Sequence, residues 1–241
     1  MPIIYEPKGR ALEYAELAAN LWTGCTHGCT YCFAPGVLRK TRDDFHAKVT
    51  PRKDVLKLLE RDAKKFSGDP RRVMLCFTCD PYPEIEGELR ITRHAMEILS
   101  KHDVKCGVLT KRTSIASRDF HLMALHDIHL GVSLSTLDEV QRRDWEPNAD
   151  PIQSRQFALL CASRLGVYTW ISIEPVWDTE QAIEVIRWAK RNEINHIKVG
   201  KMNHNKAVED SIDWTAFLAR VKEELKGTSH YIKADLAKYG E

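Results

Sequence analysis

The sequence predicts an α/β fold in which a parallel sheet is covered by outer helices. From about residue 50 the chain alternates between apolar runs typical of strands and amphipathic patterns typical of helices, and this alternation indicates β/α units. The predicted strands are almost continuously apolar, as in a sheet that is buried on both faces. The 241 residues suffice for a substantial core. An open doubly wound sheet and a partial barrel are both compatible with these patterns.

We predict six β/α units, and local signals set the limits of several helices. Thr50 and Pro51 have the residue types of an N-cap and a first-turn proline. Asp178 and Gln181 form a capping-box pattern, and Gly166 is a typical residue to end a helix. The predicted strands are 17–23, 72–79, 104–110, 128–135, 167–174 and 194–200, and the predicted helices are 51–67, 88–102, 117–126, 150–166, 178–192 and about 206–226.

Composition and charge exclude several classes of protein. Lys and Arg total 36 against 34 Asp and Glu, so composition does not supply a large basic surface for nucleic acid. No apolar run approaches the roughly 20 residues that span a bilayer, and the N-terminal stretch lacks the apolar centre of a signal peptide. We therefore expect a soluble, cytoplasmic protein with no membrane partner.

The most informative feature is a cluster of three of the seven cysteines. Cys25, Cys29 and Cys32 have the spacing C-x3-C-x2-C. In a reducing compartment such a cluster indicates metal or redox chemistry rather than disulfides. Three thiolates on a short loop can bind three irons of a [4Fe–4S] cluster and leave the fourth iron without a protein ligand. Such an open iron is what coordination of a substrate or cosubstrate requires.

Zinc is the competing interpretation of the cysteines. Cys29 and Cys32 form one C-x2-C pair, Cys76 and Cys79 form another, and His27 is a further candidate ligand. Two observations count against a structural zinc site. The 43 residues between the pairs contain a complete predicted helix, and two residues three apart on a strand point to opposite faces.

Polar residues follow or end each of the later predicted strands. In barrel-like enzymes the carboxyl ends of the strands together form the rim that carries the active site. The recurrence of polar residues at these strand ends therefore predicts a site at the rim, beside the three-cysteine loop that follows the first strand. These residues are Asp80, Thr110, Lys111, Ser133, Ser135, Glu174, Lys201 and Asn203.

The cysteine spacing, with Tyr31 before the last cysteine, resembles that of the radical S-adenosylmethionine (SAM) superfamily. Segments 79–99 (CDPYPEIEGELRITRHAMEIL), 107–119 (GVLTKRTSIASRD), 132–147 (VSLSTLDEVQRRDWEP) and 171–177 (ISIEPVW) are similar to the branch that includes spore photoproduct lyase. The resemblance covers roughly residues 15 to 205, in register with the six units. It implies a partial (β/α)6 TIM-like barrel in a single radical SAM domain over 1–241, with a C-terminal helical extension at 206–241.

The resemblance also implies the chemistry. Cys25, Cys29 and Cys32 would hold a [4Fe–4S] cluster whose open iron binds the methionine end of SAM. One-electron reduction, from a flavodoxin-like or ferredoxin-like donor, would cleave SAM to methionine and a 5′-deoxyadenosyl radical that takes a hydrogen atom from the substrate. The cluster and SAM supply this chemistry, and the protein positions and shields them.

The SAM-contacting residues follow from the resemblance by position. Lys111 would pair with the SAM carboxylate, Asp80 would contact its amine, and Ser133 or the neighbouring Ser135 would lie near the ribose. The other implied contacts are Tyr31 and Phe33, which would flank the adenine, and Glu174, which would bind SAM or substrate or would pair with a basic neighbour such as Lys198.

A nucleobase-containing or phosphorylated substrate is suggested by the resemblance alone, and the almost balanced charge gives little support to DNA. Cys79 is a candidate hydrogen donor to a substrate radical, and a small buried apolar side chain is the equally weighted alternative. The arginines from Arg142 to Arg155 form either an anion-binding group or a solvated helix face. A non-catalytic iron–sulfur or zinc protein that acts as a sensor or interaction module is the alternative function.

Overall fold

The computed structural model describes residues 2–240. Its strands form one large sheet and one two-stranded ladder. The strands are β1 (Ile4–Tyr5), β2 (Leu17–Ala19), β3 (Trp22–Thr23), β4 (Thr50–Pro51), β5 (Val73–Leu75), β6 (Cys106–Thr110), β7 (His129–Ser133), β8 (Thr169–Val176), β9 (His196–Lys201) and β10 (His230–Ile232).

Helices fill most of the connections between the strands. They are α1 (Ala34–Val37), α2 (Arg42–Ala47), α3 (Val55–Ala63), α4 (Glu86–Leu89), α5 (Ile91–Lys101), α6 (Thr113–Ala116), α7 (Phe120–Leu125), α8 (Glu139–Trp145), α9 (Ile152–Arg164), α10 (Thr179–Arg191), α11 (Lys206–Ser211), α12 (Trp214–Glu224) and α13 (Ala234–Ala237).

The large sheet has the order β1-β2-β5-β6-β7-β8-β9-β10. The six strands from β2 to β9 in this order are parallel neighbours; β10 is parallel to β9, and β1 is antiparallel to β2. Consecutive parallel order with outer helices confirms the predicted α/β fold. The sheet has two edges, β1 and β10, as expected for a partial barrel rather than a closed one.

The strands are buried because both of their faces are covered. Every residue of β2 and β5 is buried, which explains the continuous apolar runs in the sequence. Trp170 of β8 lies directly against Gly131 on the neighbouring strand, β7. A Cβ atom added at Gly131 would be only 2.2 Å from the indole, so the glycine makes room for the tryptophan.

The helix limits are partly as the sequence predicts. The Asp178 carboxylate accepts a hydrogen bond of 3.0 Å from Gln181 N at the start of α10, and Gly166, with φ +84°, follows α9. The prediction that Thr50 and Pro51 begin a helix is wrong. They form β4 and pair with β3, so tertiary pairing overrides the local helix-start signal, and α3 begins only at residue 55.

Two further differences concern the first strand and the C-terminal segment. The predicted strand 17–23 divides into β2, in the large sheet, and β3, which pairs with β4 at the base of the cysteine-bearing segment. The predicted helix 206–226 divides into α11 and α12 because Asp213 caps a new helix by accepting from Ala216 N at 2.9 Å. The C-terminal extension also contributes a strand, β10. Within residues 2–240, none of the helices combines the length and the apolar character needed to cross a membrane.

Candidate cofactor site

The three cysteines of the C-x3-C-x2-C motif lie on a loop whose backbone is held at several points. Gly24 has φ +86°, and a Cβ there would be 2.1 Å from Lys48 O, so the turn into the loop requires glycine. Arg42 of α2 donates to the Cys29 carbonyl at 2.6 Å and to the Cys32 carbonyl at 3.4 Å. The guanidinium therefore fixes the loop beside two of the three predicted ligands.

His27 connects this loop to the rim of the sheet. Its Nδ1 lies 3.4 Å from Cys25 Sγ, and its Nε2 lies 3.8 Å from an Asp80 carboxylate oxygen. The imidazole is buried, and its Nε2 has no hydrogen-bond partner within residues 2–240. Burial lowers the pKa of His27 despite the nearby carboxylate.

The loop has the donor chemistry of an iron–sulfur site. All three thiols are free, and the side chains of Cys25 and Cys32 lie close enough to Cys29 to raise its pKa, although burial is the larger cause. Burial raises the pKa of both Cys25 and Cys29 to about 12. In the described part of the chain, no three His, Cys, Asp or Glu side chains are placed to hold a single metal ion. Cluster thiolates bind separate irons, so three thiols on one loop fit a [4Fe–4S] cluster.

Asp80 braces the rim at the ends of two neighbouring strands. Its carboxylate accepts from Thr110 Oγ1 at 2.7 Å, from Lys111 N at 2.8 Å and from Tyr82 N at 2.8 Å. These bonds fix the turn after β5 against the end of β6. Both carboxylate oxygens have partners, so any contact with a SAM amine would be added to this bracing.

Lys111 lies in a buried charged network with Glu146, Arg155 and Tyr31. Arg155 donates to Glu146 at 2.6 Å, the Tyr31 hydroxyl donates to the same carboxylate, and the Lys111 ammonium is 4.0 Å from it. Burial opposes the charged form of Lys111, but Cys29, Glu146 and Asp80 together raise its pKa. The network thus places a charged lysine beside the cysteine loop.

Glu146 is a site residue that the sequence alone does not identify, and the sequence indicates Arg155 only as part of an anion-binding group or a solvated helix face. The interpretation of Arg155 as part of a solvated helix face is wrong, because its side chain is 1% exposed and is paired with the equally buried Glu146. A buried ion pair of this kind requires additional hydrogen bonds, and Arg155 makes them to the carbonyls of Asp150 and Ser133. Nine positions separate the pair, on either side of a turn, so no helical spacing signals it.

The two aromatic residues predicted to flank the adenine have different surroundings. Tyr31 is stacked on Trp177 with 5.7 Å between ring centroids, and Trp177 is stacked on Trp145 at 5.2 Å. The Lys111 ammonium lies 5.6 Å from the Tyr31 centroid. Phe33, in contrast, is 54% exposed at the start of α1. Tyr31 therefore belongs to the buried network, whereas Phe33 lies on the outer surface.

The two predicted serines are buried near the same network. The Ser133 carbonyl accepts a hydrogen bond of 3.0 Å from Arg155. The Ser135 hydroxyl and the Arg155 Nη2 atom are buried without a hydrogen-bond partner within residues 2–240. Buried polar atoms normally have partners, so these two groups are available to a ligand.

Glu174 belongs to a separate buried cluster. It accepts from the Lys233 ammonium at 2.5 Å and from the Tyr14 hydroxyl. The suggested pairing with Lys198 is wrong, because Lys198 instead donates to the carbonyls of Glu13 and Tyr14. Lys233 follows β10, in the C-terminal extension, which lies beyond the segment that carries the sequence resemblance. Within the described residues, no hydrogen bond or ion pair joins Glu174 to the Lys111 network.

Cys79 lies beside Cys76, contrary to the expectation that the two point to opposite faces. The strand β5 ends at Leu75, so both cysteines lie in the following turn, where the Cys76 side chain is close enough to influence the pKa of Cys79. Burial, followed by this contact, raises the pKa of Cys79 well above its usual value. One of the two arguments against zinc is thereby removed, and the intervening helix, α3, remains.

A cavity of about 390 Å³ lies at the opposite end of the sheet. Its lining includes Met74, His129, Trp170 and Lys198, at the starts of four strands, together with Tyr14. No cysteine and no residue of the Lys111 network lines it. The cysteines and the Lys111 network therefore lie apart from this cavity, whereas Glu174 contacts Tyr14 of its lining.

Comparison of the sequence with known proteins gives uncharacterised relatives. No family model matches the sequence. The chain is similar to uncharacterised proteins of Mycobacterium tuberculosis and Mycobacterium bovis, with 26% identity over 182 residues. The match covers 70% of this chain and 52% of those proteins, so the chain spans about half the length of the curated relatives that it matches.

Comparison with solved structures gives spore photoproduct lyase and SuiB. The complex of spore photoproduct lyase with dinucleoside spore photoproduct aligns with a TM-score of 0.65 and 13% identity, over 95% of this chain and 79% of the lyase. Streptococcus suis SuiB bound to S-adenosylmethionine aligns with a TM-score of 0.69 and 14% identity, over 92% of this chain and 52% of SuiB. The chain thus has the fold of spore photoproduct lyase and SuiB, as its cysteine motif and four sequence segments predict.

Proposed function

We propose that this protein is a radical SAM enzyme. The observation that carries the proposal is the position of three free thiols, spaced C-x3-C-x2-C, beside the pair of a partly buried Lys111 and a buried Glu146 at the carboxyl ends of the strands. The thiols suit a [4Fe–4S] cluster, and the lysine suits a carboxylate next to it. The fold shared with SuiB bound to S-adenosylmethionine supports this combination.

Different residues of the chain would bind the cluster and SAM. A [4Fe–4S] cluster held by Cys25, Cys29 and Cys32 would supply the electron that cleaves SAM to methionine and a 5′-deoxyadenosyl radical, which abstracts hydrogen from the substrate. Lys111 would pair with the SAM carboxylate, while Cys29, Glu146 and Asp80 raise the pKa of that lysine. The unpartnered Ser135 hydroxyl and Arg155 Nη2 would serve as further polar contacts.

The remaining predicted contacts fit this arrangement to different degrees. Tyr31 lies within the network, and its ring offers a surface for adenine, whereas the exposure of Phe33 makes it a weaker adenine contact. Glu174 is joined to Lys233 and Tyr14, so we assign it to the substrate rather than to SAM. Asp80 and Ser133 would act mainly by fixing the strand ends through the bonds described above.

The substrate is proposed only as a class. Spore photoproduct lyase is bound to a dinucleoside spore photoproduct in one compared structure, and SuiB is bound to the precursor peptide SuiA in another. We favour a nucleobase-containing molecule because the sequence segments resemble the lyase branch. The near-balanced charge of the chain favours a small molecule over duplex DNA.

Cys79 is our candidate hydrogen donor. The thiol would give a hydrogen atom to a substrate radical and become a thiyl radical, while the substrate carbon gains a C–H bond. Its neighbour Cys76 and its burial would protect such a radical from water. A Cys79→Ala variant should still form 5′-deoxyadenosine but should no longer form the product in which the substrate carbon has gained hydrogen. Cys161→Ala is the matched control and should form both. Equal product from both variants would remove Cys79 from the proposal.

Formation of 5′-deoxyadenosine is the decisive experiment. Protein reconstituted anaerobically with iron and sulfide and reduced with dithionite should form 5′-deoxyadenosine from SAM, and a Cys29→Ala variant should not. If the cluster forms without product, SAM binding is measured next, because cleavage in the absence of substrate is not guaranteed. A cluster that binds no SAM would favour the non-catalytic sensor, and failure to assemble a cluster, with zinc bound instead, would overturn the proposal.

A further inference from the structure

Residues 33–42 form a compact projection directly after the last cysteine of the motif. Leu38 N donates to Ala34 O at 2.9 Å, and Lys40 N donates to Pro35 O at 2.9 Å, so the segment closes on itself in one helical turn and a reversal. Pro35, in the first turn of α1, stiffens it further. We refer to residues 33–42 as the projection.

The surface of the projection is unusually apolar. Phe33, Val37 and Leu38 are 54%, 66% and 40% exposed. They are three of the eleven large apolar side chains that are exposed within residues 2–240, yet they lie within six positions of one another. A contiguous exposed apolar patch bordered by polar residues marks a protein–protein contact site.

The polar border of the projection is positively charged. Arg39, Lys40 and Arg42 are all exposed, and none of residues 33–42 is acidic. The chain as a whole has 36 basic against 34 acidic residues, so this local excess is not a consequence of overall charge. Asp43 and Asp44 follow the projection, and the Asp44 carboxylate accepts from the Thr41 hydroxyl at 2.7 Å.

The projection is joined to the cysteine loop by backbone and side-chain contacts. Phe33 is the residue after Cys32, and Arg42 donates to the Cys29 and Cys32 carbonyls. A molecule that rests on the projection is therefore next to the predicted cluster. That position matters for an electron donor, because electron transfer between proteins requires short distances between the redox centres.

We propose that the projection is the docking surface for an acidic one-electron carrier protein. The inference rests on the proposed function, since a redox cluster on the neighbouring loop is what needs the carrier. One electron leaves the reduced carrier and enters the cluster, and no bond forms or breaks. The basic border would attract the acidic partner and increase the association rate, and the apolar centre would supply the contact.

Nucleic acid fits the projection less well than an acidic protein. Stable electrostatic binding to DNA uses about 6–10 phosphate contacts, whereas the projection offers three cations, one of which, Arg42, is engaged with the loop. The apolar side chains of Val37 and Leu38 form neither hydrogen bonds nor ion pairs with phosphates. Nucleic acid binding is accordingly an outcome that the test must distinguish.

The test compares charge reversal on the projection with the same change elsewhere. The variant is Arg39→Glu with Lys40→Glu, and Val37→Ser is a second variant that removes apolar surface without changing charge. The control is Lys64→Glu with Lys65→Glu. These two lysines follow α3 and are exposed. Gly68, which follows these lysines closely in sequence, donates its N–H to Asp103 O just before β6. The two lysines therefore lie near the amino ends of the strands, away from the cysteines.

The probe is an acidic flavodoxin in its hydroquinone form. The rate at which it reduces reconstituted protein should fall about tenfold or more in the charge-reversal variant at low salt, and the wild-type rate should fall as salt is added. Dithionite, which needs no docking surface, should reduce wild type and both variants equally. The lysine control should retain the wild-type rate.

Binding of the oxidised flavodoxin to as-purified protein gives a second readout that does not need a cluster. Affinity should weaken in both projection variants and should be retained in the control. Wild-type behaviour of both projection variants would overturn the inference, as would a charge-reversal effect on binding of a DNA oligonucleotide but not of flavodoxin. Failure of the proposed function looks different, because wild-type protein would then form no 5′-deoxyadenosine even with dithionite.

Discussion

The Lys233 ammonium donates a 2.5 Å hydrogen bond to Glu174 although the two residues are 59 positions apart in sequence. Lys233 is only 2% exposed, and Glu174 is its anionic partner inside the sheet. Lys233 also lies over the Tyr14 ring at 3.9 Å from the centroid. The pair thus joins the C-terminal extension, the strand β8 and the N-terminal segment in one buried contact.

The first prediction concerns the stability of this pair. A Lys233→Met variant should lose about 3 kcal/mol of unfolding free energy, because the partly buried Glu174 carboxylate is left without its cation. Urea denaturation followed by circular dichroism measures the loss. The exposed Lys226→Met, in the same extension, is the matched control and should change stability by less than about 0.5 kcal/mol.

Neutralising Glu174 distinguishes charge from packing in the same pair. If the loss comes from the unpaired carboxylate, the double variant Lys233→Met with Glu174→Gln should be more stable than Lys233→Met alone. Additive losses from the two substitutions would mean that packing around the lysine stem, and not the ion pair, stabilises the extension.

The sequence predicts the parts of the site that depend on local spacing. The three cysteines are close in sequence, so the C-x3-C-x2-C motif can be identified without a structure. Lys111 can be identified as a candidate from its position after an apolar run. The ion pairs of Glu146, Arg155 and Lys233 cannot be identified from such local patterns. Their role depends on pairing between separate elements, and a single sequence does not show which elements meet.

The fold was predictable to a similar extent and for related reasons. Continuous apolar strands separated by helices identify the parallel sheet, and capping residues such as Asp178 mark helix starts. Thr50 and Pro51 mislead because a proline that begins a helix and a proline at a sheet edge have the same local signature. In the structure, the pairing of β4 with β3 decides between them.

The second prediction separates binding from stability at the rim. A Lys111→Met variant should weaken SAM binding by about tenfold or more, which corresponds to about 1.4 kcal/mol, because the carboxylate loses its cation. Its effect on stability should be small, since Glu146 keeps Arg155 as its partner at 2.6 Å. Equilibrium binding of SAM to reconstituted protein and urea unfolding measure the two quantities.

Two further variants calibrate the Lys111 result. Arg155→Met should destabilise the fold by about 3 kcal/mol, because it leaves Glu146 buried without its closest cation. Lys101→Met, at an exposed position at the end of α5, should change neither quantity. Unaltered SAM affinity in Lys111→Met would remove the lysine from the proposed site.

The third prediction concerns the contact between Gly131 and Trp170. Gly131→Ala should destabilise the protein by about 1–3 kcal/mol, because the new methyl group would overlap the indole, 2.2 Å away. Gly87→Ala, at a position with no neighbouring atom within 4 Å, is the control and should be neutral or slightly stabilising. Once Trp170 is replaced by Leu, adding Gly131→Ala should cost little. A persistent loss in that double variant would mean that the backbone conformation, and not the tryptophan, requires glycine.

The last prediction concerns the pH dependence of stability and His129. Burial, followed by the positive charge of Arg72, lowers the pKa of His129 to about 4, although Asp127 opposes the shift. Because the unfolded chain binds a proton near pH 6.5 and the folded chain only near pH 4, unfolding takes up a proton between these values. His129 therefore contributes stability above pH 6.5 that is lost as the pH falls toward 4.

This loss should amount to about 2 kcal/mol of unfolding free energy between pH 6.5 and pH 4.5, and His129→Gln should remove it. The variant also loses the stacking of the imidazole on Tyr168, at 4.1 Å between centroids, so it should be less stable at pH 7 but less sensitive to acid. Denaturation at several pH values measures the slope, and His121→Gln, at an exposed position, should keep the wild-type slope. An unchanged slope in His129→Gln would place the proton uptake on other groups.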